Sequence, residues 1–136
     1  MSADIKIYKI KDFVRFNKSG EIDYDRSIQL VHDLATAASF YAGHNILIDL
    51  RETTIVMETN IGVILQLALE MARYGSSFKR RMANVVPNEE RRLSLARQVE
   101  ASMKIKGFNF RVFTSFENAI DWLSDITEVR DAEPIQ

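Results

Sequence analysis

The sequence predicts an α/β domain: an open, mixed but mostly parallel sheet of about five strands with four helices, in the order β-β-α-β-α-β-α-β-α. Three observations lead there. Short apolar runs at 45–50, 82–86 and 108–113 have the composition of strands covered on both faces. Between them lie segments with apolar residues at helical spacing, each long enough to serve as a crossover between parallel strands. The 136 residues, 46% hydrophobic and with two prolines and five glycines, are sufficient for one buried core.

The elements follow in order. Residues 5–10 and 13–17 are rich in Ile, Val, Phe and Tyr around a short polar step at Lys11 and Asp12, which predicts two strands joined as a hairpin at a sheet edge. Gly20 ends that pattern. Asp23 or Asp25 then caps a helix whose stripe is Tyr24, Ile28, Val31, Leu34 and Ala38, closed by Gly43. Residues 45–50 form the central strand, with Asp49 near its carboxyl end and a polar loop at 51–54. Glu58, Thr59 or Asn60 caps an apolar helix over 61–74, whose polar face is thin. Pro87 stops the strand 82–86, and Glu89 and Glu90 open a helix with an inward stripe of Leu93, Ala96, Val99 and Met103. Gly107 terminates it, 108–113 is a strand, and Thr114 with Glu117 matches a capping box ahead of a last helix carrying Ala119, Ile120, Leu123 and Ile126.

No linker, repeat or low-complexity tract divides the chain, so residues 1–128 form one domain and 129–136 an acidic tail. The N-terminus lacks a continuous apolar region and cleavage site, and no apolar run is long enough to cross a bilayer, which predicts a cytoplasmic protein without stable membrane insertion. Without cysteine there is no disulfide framework, thiolate metal site or cysteine nucleophile. A formal net charge of -1 argues against a dedicated nucleic-acid binder.

Several residues invite a chemical role. Asp49, Glu52 and Glu58 surround the carboxyl end of the central strand, where ligands of open α/β sheets bind, although loop solvation and capping account for them more simply. His32 and His44 lack a third ligand for a metal site and read as a helix-surface and a loop histidine. No phosphate-binding glycine loop or serine elbow occurs. Between residues 79 and 106, eight Lys or Arg stand against three Asp or Glu, which makes Lys79, Arg80, Arg81, Arg91 and Arg92 candidates for an anion or acidic-partner patch. The alternative is a solvated face of mixed charge.

The segment from Asn45 to Val63 carries a strand ending in Ile48, Asp49 and Leu50, then Met57, Glu58, Thr59 and Asn60 ahead of a helix opening at Ile61, Gly62 and Val63. It resembles the strand-loop-helix switch of the STAS fold of bacterial anti-sigma-factor antagonists. The downstream half, with Lys79 to Ala83, Val85 to Pro87, Arg91, Arg92, Leu95 to Arg97, Gly107 and Arg111 to Phe113, is similar to the SpoIIAA-like group of small stand-alone proteins. That group is related to STAS proteins and, more distantly, to CRAL-TRIO lipid carriers, and no general catalytic activity goes with it. The resemblance implies a phosphorylated hydroxyl at the helix start. Thr59 is the hydroxyl nearest that position, whereas Asn60 occupies the alternative alignment and cannot be phosphorylated.

The expectation is therefore a non-catalytic STAS-like regulatory or protein-interaction module, a degenerate relative of the antagonist switch. Met57, Glu58, Thr59, Asn60 and Ile61 would contact a protein partner, such as a kinase or regulator, or a second copy in a homodimer. No cofactor or metal is expected. The alternative is a carrier or sensor of a small apolar, lipid-like ligand, which predicts a cavity between the apolar helix and the sheet.

Overall fold

In the computed structural model, residues 13–41, 44–57, 60–75 and 80–124 are described. The expected strand at 5–10, its hairpin and the tail at 129–136 lie outside these residues. The described elements are β1 (Phe13–Ile22), α1 (Tyr24–Phe40), β2 (Asn45–Ile55), α2 (Ile61–Ala72), β3 (Met82–Val85), α3 (Glu90–Ile105), β4 (Phe110–Phe113) and α4 (Phe116–Leu123). The strands form one sheet in the order β1-β2-β3-β4, and every pairing is parallel.

Parallel strands laid down in sequential order with crossovers of one hand place successive helices on one face. Accordingly α1, α2 and α3 cover one face, where Val31, Leu34, Met71, Ala96 and Met103 meet Ile46, Ile48, Met82, Phe110 and Val112. The opposite face is covered by α4, whose Ala119, Ile120 and Leu123 pack on Leu47, Ala83 and Val85. The continuous apolar run of β2 follows from this two-sided cover, because alternate side chains enter different cores.

Helix starts are set by side-chain caps. Asp23 accepts from the Arg26 amide at 2.8 Å, Asn60 from the Val63 amide at 3.0 Å and Ser115 from the Asn118 amide at 3.2 Å. The last cap falls one residue beyond the expected Thr114, because Ser115 is the residue held in extended backbone with its hydroxyl over the first turn. In α1, Ser27 and Ala35 are buried alongside Val31, Leu34 and Ala38, whereas Tyr24 is exposed. Gly107, at φ +91°, ends α3 in the left-handed conformation that favours glycine.

One difference reshapes the site. The loop expected at 51–54 is strand, and β1 runs through Gly20 instead of stopping there. The reason lies in the pairing: Ser19, Gly20, Glu21 and Ile22 stand opposite Glu52, Thr53, Thr54 and Ile55, so each strand supplies the other's backbone partners. The register shifts between Asn17 and Ser19, opposite Asp49 and Glu52, which leaves one extra residue on β2. Such a bulge re-aims the side chains that follow it. Ile46, Ile48 and Leu50 face the three-helix side before it, and Thr53 and Ile55 face that same side after it.

Candidate functional site

The three-helix face does not close completely. A cavity of about 140 Å³ lies between α1, α2, α3 and the sheet. Its walls are overwhelmingly aliphatic, with Leu34, Ile48, Ile64, Leu67, Met71 and Val99 among them. An apolar void of this size is comparable to the engineered cavity of about 150 Å³ that stays dry and binds benzene.

Three polar side chains break the apolar lining: Ser27, whose hydroxyl donates to the Asp23 carbonyl at 3.0 Å, Asn84 and Arg92. Asn84, on β3 between Ile48 and Val112, is 8% exposed, and its Oδ1 is buried without a hydrogen-bond partner among the described residues. A buried acceptor left unmet costs about 1–3 kcal/mol, so it marks a place where the fold has not been optimised for stability alone. Arg92, at the start of α3, is also 8% exposed. Its Nη1 donates to the Thr53 carbonyl at 2.6 Å and its Nη2 to the Thr53 hydroxyl at 2.9 Å. Both acceptors are neutral. Burial pushes the Arg92 guanidinium below its ordinary value, and the nearby Glu89 charge opposes that shift. It stays cationic at physiological pH, as arginine does throughout proteins.

A second recess of about 260 Å³ adjoins the cavity at this point, sharing Ile55, Met57, Arg92 and Leu95 with it. Thr54, Glu89 and Arg91 complete its walls, which makes it polar where the first is apolar. An apolar chamber therefore meets a charged recess at one buried guanidinium.

The residues singled out in the sequence are distributed as follows. Met57 is half-buried and lines both spaces, with its sulfur 4.0 Å from the Ser27 hydroxyl. Asn60 is the exposed cap of α2, and Ile61 is 60% exposed. Glu58, Thr59 and Lys79 lie outside the described residues. Arg80 and Arg81 precede β3, and Arg81 turns toward α4, where Nη1 donates to the Trp122 carbonyl and the guanidinium stands 5.4 Å from the Trp122 ring centroid. Arg91 and Arg92 follow the other end of β3, so Arg81 and Arg92 lie at opposite ends of that strand and on opposite faces of the sheet.

Asp49 sits within β2 rather than near its end, on the α4 side. Arg51 donates to it from Nε at 2.9 Å, from Nη2 at 2.7 Å and from its backbone amide at 3.2 Å, and Arg15 adds a bond at 3.3 Å. The Arg51 side-chain bond is the main cause that holds the carboxyl below its ordinary value, against the opposing effect of burial. Both guanidiniums lie over Phe116, at 4.5 and 5.5 Å from its centroid. Glu52 is exposed. His32 faces Glu70 across α1 and α2 at 3.0 Å, and its ring meets Tyr74 edge-on at 5.7 Å. His44 packs edge-on with Tyr41. Among the described residues no group of three His, Asp or Glu is placed to hold a metal ion, and no helix is long and apolar enough to cross a membrane.

Sequence reasoning overlooked Asn84, Thr53 and the burial of Arg92. A signal was present for the last: Arg92, Ala96, Val99 and Met103 recur at spacings of four, three and four, which sets Arg92 on the inward stripe of α3. Asn84 likewise interrupts an otherwise apolar strand. No protein-family model, curated protein or solved structure matches the chain.

Proposed function

We propose that this domain is a non-catalytic binding module that takes a small apolar ligand into the cavity between its three helices and the sheet. The observation that carries this reading is the aliphatic cavity of about 140 Å³ joined to a polar recess at Arg92. Binding is favoured over catalysis because Asp49, the carboxylate with the best position for acid/base work, is engaged by Arg51 and Arg15. Alternating strands and helices around one parallel sheet agree with the STAS-like class the sequence resembles, and a carrier or sensor role fits that group's distant kinship with lipid carriers.

Titration of the isotope-labelled protein with 1-octanol tests the reading. Amide shifts should concentrate at Leu34, Met71 and Val99, and Val99→Phe, which fills the cavity, should abolish them. Absence of saturable shifts in the wild type would sink it.

A second reading has its own observation. Ile61, Leu65 and Leu69 are 60%, 48% and 53% exposed at spacings of four on α2, an outward apolar stripe beside the cavity. It supports docking of a protein partner or a second copy through α2, with phosphorylation of Thr59 as a switch ahead of that helix. Leu65→Glu should then reduce self-association or partner binding while leaving octanol binding intact, and Thr59→Glu should weaken the same contact. A monomeric wild type whose partner affinity is indifferent to both substitutions would remove this reading.

A further inference from the structure

We infer that the ligand is a medium-chain amphiphile with a single negative charge, its carboxylate held by Arg92 and its hydrocarbon chain lying in the cavity. The inference rests on the cavity reading above and adds the chemistry of the head group.

Arg92 carries it. Taking a guanidinium out of water is costly unless an anion or a full set of acceptors compensates. Among the described residues no carboxylate forms an ion pair with Arg92, and its two bonds go to one neutral residue, Thr53. A guanidinium has five N–H donors, so these two bonds leave donors to spare. The Thr53 bonds fix the position of the group before any ligand arrives, which lowers the ordering cost of binding. In a poorly solvated site an arriving carboxylate gains more from that charge than it would in water.

The surroundings select the charge. The recess holds Arg91 and Glu89 beside Arg92, and these three charged side chains together leave one excess positive charge. A monoanion neutralises it, whereas a dianionic phosphate would leave a negative charge beside Glu89. Glu89 makes no side-chain cap, so the first amides of α3 keep their preference for an anion. The apolar volume suits about six to eight carbons, by comparison with the void that holds benzene.

Calorimetric titration of the full chain with octanoate, 1-octanol and octyl phosphate at neutral pH decides the matter. Octanoate should bind the wild type about tenfold more tightly than octanol and more tightly than octyl phosphate, and Arg92→Met should bring octanoate down to the level of octanol. Because Arg92 also ties α3 to β2, a measurement on the wild type stands beside the variant: the carboxyl carbon of labelled octanoate should titrate well below its free value when bound. Equal binding of octanol and octanoate, or a bound carboxyl that titrates at or above its free value, overturns the head-group assignment while leaving the apolar cavity reading in place. Tighter binding of octyl phosphate overturns the choice of a monoanion. Failure of all three to bind overturns both.

Discussion

Arg92 on α3 and Thr53 on β2 meet through two hydrogen bonds, one to the Thr53 carbonyl and one to its hydroxyl, and this contact joins the end of the central strand to the first turn of the third helix. It exists because the bulge in β2 turns Thr53 toward the helices. The Thr53 hydroxyl in turn donates to the Leu50 carbonyl at 2.6 Å, across the bulge itself. One side chain thus stabilises the irregular strand and seats the buried cation.

Thr53→Val keeps the branched shape and removes the hydroxyl. The bond from Nη2 of Arg92 and the bond to Leu50 are both lost, while the Thr53 carbonyl still accepts from Nη1. We expect destabilisation of about 1–3 kcal/mol, measured by chemical denaturation. A loss below about 0.5 kcal/mol would show that the carbonyl alone holds the guanidinium.

Asp49→Asn tests the cluster on the other face. The substitution keeps the volume but removes the charge between Arg51 and Arg15, both of which are partly exposed, so about 1–2 kcal/mol should be lost at neutral pH. The pH dependence has a definite sign. A carboxyl held below its ordinary value of 3.8 contributes fully above that value and loses its contribution as pH falls through its folded-state value. Wild-type stability should therefore drop on acidification below about 4, and the drop should be shallower in Asp49→Asn. Glu70, also held low, chiefly by its bond with His32, remains in the variant and keeps part of the slope. Parallel acid limbs in the two proteins would contradict the assignment.

Asn60→Ala removes the side-chain cap of α2 and should cost about 1 kcal/mol. The first turn of α2 borders the cavity through Val63 and Ile64, so amide exchange there should quicken more than in α3. Uniform exchange changes across the helices would argue against a local capping effect.

Gly107→Ala isolates a backbone effect. Nothing lies within 4 Å of an added Cβ, so sterics with neighbours contribute nothing, yet φ is +91°. A loss of about 1–2 kcal/mol in thermal or chemical unfolding is expected from the conformation alone. Gly75→Ala, equally open but without a positive φ, should be near neutral and serves as the control.

What the sequence determined by itself was the local order of the chain. The apolar run at 45–50 announced a strand covered on both faces, the periodic stripes announced α1 and α3, and Gly107 and the polar residues at 23–25 and 58–60 announced where helices end or begin, because each signal acts within one or two turns of the residue that carries it; which residue caps, Asp23 and Asn60, came from the structure. The α/β class and a mostly parallel sheet followed from that order. What only the tertiary structure decided depended on segments distant in the chain. The extension of β2 to Ile55 required β1 beside it, since a polar run such as Arg51 to Thr54 becomes strand only when a neighbour supplies its hydrogen bonds. The burial of Arg92 required Thr53, 39 residues earlier, to be turned inward by the bulge, and the separation of Arg81 from Arg92 required β3 to lie between them. The cavity is the furthest from the sequence, because a void is the difference between the volume three helices and a sheet enclose and the volume their side chains fill, and no local pattern encodes that difference.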